Sequence, residues 1–546
     1  MSADVLLLNL TRFGDLLQSQ PLIQDLHDSG HRVGLVCLDN FAAALPLLRH
    51  VDAAWPLPGA KLMAVLDRHW QAAAAALLDL ARRIREEARP SRVVNLTPSL
   101  PGRLLAKLLA PSPEAVLGFG LDAEGFGVNR GIWSSFLSGA TLRRQNAPFN
   151  LVDMFRMVGA PLYAPGIAAR PGLFSLQTPP AEALAHADAL LAEPENPPEG
   201  GHIQGFVALQ LGASEARRQW PTAYFAALGD RLWREAGLCP VLLGAPAESP
   251  LAQEYAARAS APFVNAVGRT NIPQLAALLA RTRLLATNDT GTMHLAAGLG
   301  LPCLAFFLAT AQPWDTGPYL SGCCCLEPAL PCHPCPYNQA CPHDQVCLTR
   351  ISPRRAGDLI LARLESGDWQ AVLSPELCRE ARVWLTETDE FGFARVRSLS
   401  GHEREDRSLW LNRQRLFWRH ILDDLESTTD GATARPARAE ARTPDAPPCS
   451  PAFAARVAPV LDQAARLLDM LAEQGRLTGK SSKAGQLFLL NCERLQNLLD
   501  ACPPLASLGY FWRELRQERG GRMDELLRLV DLLAGHLRRW AASMAV

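Results

Sequence analysis

Three short segments combine glycine with charged or hydroxyl side chains directly after an apolar run. They are Arg12-Phe-Gly-Asp15, then Leu211-Gly-Ala-Ser214 with Arg218-Gln-Trp-Pro221, and finally Asn288-Asp-Thr-Gly-Thr-Met-His294. Glycine in such a loop lets the backbone approach a ligand closely. A small-residue loop ahead of a helix is a ready anion site, and an arginine beside it pairs well with phosphate oxygens. The pattern therefore indicates an anion site accompanied by carboxylates.

Each charged side chain also has an ordinary structural explanation. Asp15 fits a carboxylate that complements the dipole at a helix N-terminus. Asp289 fits a simple N-cap, and His294 fits a satisfied histidine of the core. The residues alone leave these alternatives open.

The elements that would hold these segments alternate between strand and helix. Apolar runs predict strands at Val5–Leu10, Val33–Leu38 and Arg92–Thr97, with helices at Leu16–Leu26 and Leu62–Glu87 between them. The alternation restarts after residue 205. The second set of strands is predicted at Phe206–Leu211, Pro240–Leu243, Leu284–Thr287 and Pro302–Phe307, with helices at Pro221–Ala236, Ile272–Ala280 and Met293–Leu299. This order predicts two parallel sheets covered by helices, which bind ligands at the carboxyl ends of their strands.

Composition shifts divide the chain further. The predicted parts are a first α/β domain 1–175, a linker 176–205, a second α/β domain 206–352 with a cysteine-rich loop 323–347, a small extension with a hairpin 353–426, a disordered linker 427–452 and a helical bundle 453–546. The hairpin rests on alternation around Asp389-Glu-Phe-Gly392. The 427–452 segment is rich in Ala, Pro, Thr and Arg, with almost no large apolar side chains.

Charge and hydropathy exclude some classes of partner. The formal net charge is −1, which gives no sign of nucleic-acid binding. No apolar run approaches the roughly 20 residues that span a bilayer, and the first residues do not form a signal peptide. We expect a soluble cytoplasmic protein. A peripheral contact with a membrane and an oligomeric state stay open.

Half of the fourteen cysteines fall between residues 323 and 347. The spacing of Cys332, Cys335, Cys341 and Cys347 suits a structural zinc or iron site with four thiolates. Ordinary reduced cysteines are the alternative. Cys323-Cys-Cys325 is predicted to be part of a buried strand.

Taken together, the segments resemble glycosyltransferase family 9, the ADP-heptose heptosyltransferases of the lipopolysaccharide core. The resemblance covers roughly residues 3–352. It rests on Arg12-Phe-Gly-Asp15 with Pro21, Asn95-Leu-Thr97, Gly118-Phe119, Arg218-Gln-Trp-Pro221, Gly244 with Glu248, and Asn288-Asp-Thr-Gly-Thr-Met-His294. It implies an α/β fold with two Rossmann-like domains in the GT-B arrangement. Here a mainly helical C-terminal extension would follow.

The resemblance also implies roles for individual residues. Asp15 would be the catalytic base and Arg218 would neutralise the diphosphate, although the family often has lysine at that position. Donor-binding residues would be Gly14, Gly212, Ala213, Ser214, Glu248, Asp289, Thr290, Gly291 and His294, with Glu248 on the nucleotide ribose. Arg12, Asn95 and Thr97 would lie on the acceptor side. No cofactor is implied for catalysis.

The predicted function is therefore inverting transfer of heptose from ADP-heptose to a lipopolysaccharide core or a related acceptor hydroxyl. The same transfer to a surface or flagellar protein is one alternative. A non-catalytic scaffold with the GT-B fold is another. The sequence contains no Asp-x-Asp, so helix N-termini and Arg218 would have to supply the positive field at the diphosphate.

Overall fold

The computed structural model describes residues 3–197, 202–336, 339–370, 373–427 and 448–544. The chain forms two compact units. The larger contains residues 1–117 and 149–402, and the smaller contains 118–148 and 403–546. Both predicted sheets lie in the larger unit.

The first sheet of the larger unit is parallel, in the order β3-β2-β1-β4. The strands up to residue 130 are β1 (Val5–Asn9), β2 (Val33–Leu38), β3 (Ala53–Leu57), β4 (Arg92–Asn95), β5 (Val116–Leu121) and β6 (Gly127–Arg130). Every residue of β1 is buried, as expected for a central strand with helices on both faces. The boundary between the two units falls within β5, which pairs antiparallel with β6.

The helices of this region follow the predicted alternation with two differences. They are α1 (Phe13–Gln18), α2 (Gln20–Asp28), α3 (Gly59–Leu66), α4 (Trp70–Ala88), α5 (Leu100–Leu109) and α6 (Ile132–Leu142). The single helix predicted at Leu16–Leu26 is two helices, because Pro21 has no N–H to continue α1 and instead occupies the first turn of α2. The helix predicted at Leu62–Glu87 is also divided, into α3 and α4.

The second sheet has the order β14-β13-β12-β11-β10-β7-β8-β9. Its strands are β7 (Gly205–Gln210), β8 (Leu238–Leu243), β9 (Val264–Asn265), β10 (Leu285–Asn288), β11 (Cys303–Phe306), β12 (Cys324–Pro328), β13 (Ala381–Thr388) and β14 (Ala394–Ser398). The strands from β7 to β12 pair in parallel. The prediction of an α/β fold with two Rossmann-like sheets is therefore confirmed.

The predicted hairpin is confirmed as β13 and β14, but its place differs from the prediction. β13 pairs antiparallel with β12, so the hairpin forms one edge of the second sheet. Buried Val383 and Trp384 anchor it there. Residues 353–402 therefore belong to the larger unit, and not to the separate extension predicted at 353–426.

The remaining helices of the larger unit cover the second sheet and the connection to it. They are α7 (Leu151–Gly159), α8 (Ala181–Leu191), α9 (Thr222–Ala236), α10 (Ser249–Ala256), α11 (Ile272–Ala280), α12 (Gly291–Gly298), α13 (Pro313–Thr316), α14 (Pro353–Ser366) and α15 (Pro375–Glu380). The stretch predicted as the linker contains α8.

The smaller unit is mainly helical, with α16 (Asp406–Ser427), α17 (Pro451–Leu477), α18 (Ser482–Asp500), α19 (Ala506–Arg519) and α20 (Met523–Met544) beside β6 and α6. Leucines at helical spacing, including Leu461, Leu468 and Leu533, form its core, as the predicted bundle requires. The segment predicted to be disordered, 427–452, lies mostly outside the described residues. Within the described part of the chain, no helix combines the length and the apolar character needed to cross a membrane.

Candidate functional site

The first and third predicted segments meet in the larger unit. α1 begins after β1 and α12 begins after β10, each at the carboxyl end of its strand. A Cβ placed on Gly14 would lie 3.0 Å from Cδ2 of His294 and 3.4 Å from Cα of Gly291. A Cβ on Gly291 would lie 2.6 Å from the ring of Phe13. Glycine at both positions lets the two turns approach, and this contact brings the edges of the two sheets together.

Asp15 lies in the first turn of α1, where the turn holds it in place. Its Oδ2 accepts a hydrogen bond from the backbone N–H of Arg12 at 3.3 Å. Its carbonyl oxygen accepts from Nδ2 of Asn9 at 3.1 Å. The Asp15 side chain is partly exposed and Arg12 is exposed. Both the carboxylate and the carbonyl oxygen of Asp15 therefore accept hydrogen bonds within this turn, and the side chain stays partly exposed.

The loop after β7 is organised by Asn288, a residue to which the sequence assigned no role of its own. Asn288 is fully buried at the end of β10. Its Nδ2 donates to the carbonyl oxygens of Leu211 at 3.0 Å and Gly212 at 3.3 Å. Its Oδ1 accepts from the backbone N–H of Trp220 at 2.9 Å. One side chain thus ties the 211–214 loop to the segment that carries Arg218.

Arg218 and Asp289 form an ion pair, a contact between two residues that the sequence treated separately. Nη2 of Arg218 donates to the carboxylate of Asp289 and to its carbonyl oxygen at 2.9 Å. Nη1 donates to Oγ of Ser214 at 2.8 Å. Nε is buried and has no hydrogen-bond partner among the described residues. A planar guanidinium held on one side in this way keeps a donor for a further anion.

Glu248 lies directly against the 212–214 loop. A Cβ on Gly212 would fall 1.6 Å from Oε1 of Glu248, so only glycine fits beside this carboxylate. Oε2 accepts from the backbone N–H of Ala245 at 2.6 Å. Thr292 at the start of α12 donates to Oε1 of Gln210 at 2.9 Å, which adds a second connection between the loop and α12.

The other residues predicted to bind the nucleotide-sugar donor lie in or near the 211–214 loop and α12. The carbonyl oxygen of Ala213 accepts from Nε2 of Gln219 at 3.0 Å. Oγ1 of Thr290 lies 3.3 Å from Oγ1 of Thr287. His294 is buried one turn into α12. The structure thus places the predicted donor-binding residues other than Gly14 at the carboxyl ends of the strands of the second sheet.

Asn95 and Thr97, predicted on the acceptor side, are buried and bonded within their own turn. Oδ1 of Asn95 accepts from the N–H of Thr97 at 2.8 Å, and Nδ2 donates to the carbonyl of Thr97 at 3.2 Å. Oγ1 of Thr97 accepts from the N–H of Leu10 at 2.8 Å. These atoms are buried and bonded inside the protein, and the contacts with an acceptor stay a prediction. Both residues support the turn that precedes Asp15.

The four cysteines predicted as metal ligands differ in exposure. Cys332 is exposed, Cys335 and Cys341 are partly exposed, and Cys347 is buried. Burial raises the pKa of the Cys347 thiol to about 11, and the nearby thiols of the other three cysteines add to the rise. In the described ranges, which omit 337–338 of this loop, no three His, Cys, Asp or Glu side chains are grouped to hold a metal ion. The structure therefore shows no assembled metal site among the described residues of this loop. The prediction that Cys323-Cys-Cys325 is buried with a strand is confirmed.

A cavity of about 260 Å³ lies elsewhere in the larger unit, between residues 172–174, residues 313–321 and the β13–β14 hairpin. Phe174, Trp314 and Tyr319 are among the residues that line it. None of the predicted site residues does.

Comparison of the sequence with known proteins gives matches to heptosyltransferases. The sequence model of "Glycosyltransferase family 9 (heptosyltransferase)" matches residues 174–344. Lipopolysaccharide heptosyltransferase 1 of Pseudomonas aeruginosa is 29% identical over 185 residues, which are 31% of this chain and 48% of that protein. Lipooligosaccharide heptosyltransferase 2 of Haemophilus influenzae is 30% identical over 103 residues, 18% of this chain and 29% of that protein.

Among solved structures, ADP-heptose lipopolysaccharide heptosyltransferase II of E. coli aligns with a TM-score of 0.48 and 19% identity. That alignment covers 67% of this chain and 99% of the E. coli chain. The matches to the two curated relatives span less than half of either relative's length.

Proposed function

We propose, on the premise that residues 174–344 carry a glycosyltransferase family 9 domain, that this chain transfers a heptose from ADP-heptose to an acceptor hydroxyl. The observation that carries the proposal is the contact between the Gly14–Asp15 turn and the Gly291–His294 turn. It places a partly exposed carboxylate beside the loop that the family match includes. A base next to a donor site is what displacement at a sugar carbon requires.

The donor diphosphate is assigned to the 212–214 loop, Arg218 and the N-terminus of α12. Asp289 and Ser214 orient the guanidinium of Arg218, whose remaining Nη N–H groups would donate to a phosphate oxygen. The N-terminus of α12 contributes backbone N–H groups and the positive end of its dipole. Donors fixed in this way stabilise the negative charge that develops on the departing diphosphate. Glu248, against Gly212, is assigned to the nucleotide ribose.

The reaction itself is assigned to Asp15. Its carboxylate takes the proton of the acceptor hydroxyl, and the acceptor oxygen attacks the anomeric carbon as the bond to the diphosphate breaks. Attack opposite the leaving group inverts the anomeric configuration. A positioned base of this kind contributes roughly 10²–10⁴-fold to the rate. The scheme uses no cofactor.

The acceptor follows from the names of the relatives, which are lipopolysaccharide and lipooligosaccharide heptosyltransferases. We assign a lipopolysaccharide core or a related hydroxyl. A protein acceptor and a non-catalytic scaffold are the alternatives, and the cytoplasmic location stays a prediction.

Structural zinc or iron at Cys332, Cys335, Cys341 and Cys347 also stays a prediction. The described side chains of this loop do not form an assembled metal site. Elemental analysis of protein purified without a histidine tag tests it, with Cys335→Ser alongside. About one metal per chain in the wild type, lost in the variant together with thermal stability, would support metal binding. Metal-free protein of full stability would reject it.

The proposed function is tested by incubating the full chain with separate nucleotide sugars and measuring nucleotide release. ADP-heptose should give slow ADP release without acceptor and faster release with lipopolysaccharide core. UDP-glucose and GDP-mannose serve as controls. Release from UDP-glucose but not from ADP-heptose would reject the donor assignment. Binding of ADP-heptose without turnover on any acceptor would favour the scaffold.

A further inference from the structure

The cavity of about 260 Å³ beside the β13–β14 hairpin is lined by aromatic side chains. Phe174, Trp314 and Tyr319 all take part in its lining. The rings of Phe174 and Tyr319 have their centroids 6.5 Å apart and their planes at 61°. Trp314 packs against buried Trp384 at 65°, with the ring centroids 4.4 Å apart. The aromatic rings therefore form a corner and not a slot between parallel faces.

A buried carboxylate on α7 fixes two sides of this cavity. Asp153 is fully buried, and its Oδ1 accepts a hydrogen bond from the hydroxyl of Tyr319 at 2.7 Å. Its Oδ2 accepts from the backbone N–H of Ala394 on β14 at 2.8 Å. A Cβ on Gly172 would lie 2.5 Å from Oη of Tyr319, so glycine lets the 172–174 segment pack there. The cavity is thus built from bonded parts, as preformed ligand sites are.

The charges beside the cavity cancel. Glu387 and Arg395 are the charged side chains among the described residues that line it. Oε2 of Glu387 lies 3.3 Å from Nη2 of Arg395, and Oε1 accepts from Nε of Arg397 at 2.6 Å. Nη1 of Arg395 lies 3.8 Å from Oε2 of Glu390. Two arginines and two glutamates balance each other, so the cavity presents no net charge that would favour a phosphate or a carboxylate.

Two hydroxyl side chains and an apolar one complete the rim. Ser321 and Thr388 are exposed, and their hydroxyl oxygens lie 3.3 Å apart. Each hydroxyl has one hydrogen to donate and two lone pairs, so a bond between the two leaves an O–H and lone pairs for a ligand. Leu173, also in the lining, is 57% exposed. The cavity therefore combines flat apolar surfaces with uncharged hydrogen-bonding groups.

We propose that this cavity binds a neutral pyranose sugar. The C–H groups of a sugar ring pack against aromatic faces, and its hydroxyls exchange hydrogen bonds with Ser321, Thr388 and the Glu387–Arg395 pair. The volume is just below the roughly 300–1,000 Å³ of sites for drug-sized ligands, which suits a ligand of about one ring. A flat nucleobase fits less well, because rings set at a corner cannot stack on both of its faces.

The sugar site does not rest on the proposed function. None of the residues assigned to ADP-heptose or to the reaction is among those that line the cavity. Its test therefore measures binding of free sugars to the full chain, and not heptose transfer.

The measurement is saturation-transfer NMR with D-glucose, D-galactose and D-mannose as separate probes, each with and without excess ADP. We expect at least one sugar to bind with a Kd of about 1–10 mM, the strength expected of a ligand with so few atoms. ADP should not displace it, because the residues assigned to ADP lie elsewhere. Failure of all three sugars to bind would overturn the proposal. So would displacement by ADP, which would assign the sugar to the donor site.

Variants of the lining locate the binding. Phe174→Leu keeps an apolar side chain but removes the flat ring, and it should weaken sugar binding about three- to tenfold. Phe263→Leu is the matched control, because Phe263 is buried just before β9 and does not line the cavity. Thr388→Ala removes an exposed hydroxyl and should weaken binding about threefold. Its control is Thr349→Ala, at an exposed threonine outside the lining.

Thermal unfolding of each variant establishes that it is folded, and Thr388→Ala decides the outcome if Phe174→Leu does not fold. Sugar affinity equal to that of the wild type in both lining variants would overturn the assignment to this cavity. Adenosine is the fourth probe. Adenosine that binds more tightly than every sugar, and that Phe174→Leu weakens, would overturn the assignment to a sugar.

Discussion

The loops at the carboxyl ends of the strands differ between the two sheets of the larger unit in how they are held. At the second sheet, the side chain of buried Asn288 joins the 211–214 loop to the backbone of Trp220. The Arg218–Asp289 pair joins the same region to the turn before α12. At the first sheet, Asp15 is partly exposed, and its carboxylate and carbonyl oxygen accept hydrogen bonds from Arg12 and Asn9. A prefixed loop suits a ligand of constant shape, such as a nucleoside diphosphate. A partly exposed carboxylate suits a large acceptor that must arrive and leave.

The largest expected effect concerns Asp15, in the turn after β1 of the first sheet. Asp15→Asn keeps the size of the side chain and can keep its contact with the N–H of Arg12, but it removes the base. Heptose transfer should fall by roughly 10²–10⁴-fold. Single-turnover transfer from ADP-heptose to lipopolysaccharide core measures this, with Asp79→Asn, an exposed aspartate on α4, as the control. Transfer within a few-fold of the wild type would remove Asp15 from the mechanism.

At the second sheet, stability should depend strongly on the side chain of Asn288. Asn288→Ala leaves the N–H of Trp220 and the carbonyls of Leu211 and Gly212 without their partner in a buried site. We expect a loss of about 2–3 kcal/mol in the free energy of unfolding. Urea denaturation measures it. A change within experimental error would mean that the loop does not depend on Asn288.

A smaller effect is expected at the corresponding turn of the first sheet. Thr97→Val keeps the shape of the side chain but removes the acceptor of the Leu10 N–H. Because one hydrogen bond is lost, the free energy of unfolding should fall by about 1 kcal/mol. The same urea measurement applies. A decrease in the free energy of unfolding larger than that of Asn288→Ala would reverse the proposed contrast between the two sheets.

The sequence predicts the central parts of both sheets well. β2 and α11 have the predicted bounds, because buried parallel strands and capped helices leave strong local signals. β3 was missed, since Ala53-Ala-Trp-Pro-Leu57 lacks a run of β-branched residues and lies at the edge of its sheet. The recruitment of residues 118–148 into the smaller unit could not be predicted either. It depends on contacts with helices hundreds of residues later.

The site follows the same division. Gly14, Asp15 and the Asp289–Gly291 turn could be predicted because they follow apolar strands. The pairing of Arg218 with Asp289 joins residues 71 positions apart, and no local pattern announces it. Asn95 and Thr97 carry the residue types of a ligand site, and the structure buries both with hydrogen bonds inside their own turn. The sequence alone does not announce these bonds, because they depend on how the turn folds.

The central claim is that the nucleotide-sugar donor binds at the second sheet, beside the 211–214 loop and Arg218, and that Asp15 of the first sheet acts as the base. Calorimetric titration of ADP into the wild type, Arg218→Ala and Asp15→Asn tests it most directly. Arg218→Ala should weaken ADP binding by about tenfold or more, because a charge-assisted hydrogen bond to phosphate is lost. Asp15→Asn should bind ADP as the wild type does. Unchanged ADP affinity in Arg218→Ala together with loss of binding in Asp15→Asn would contradict the claim.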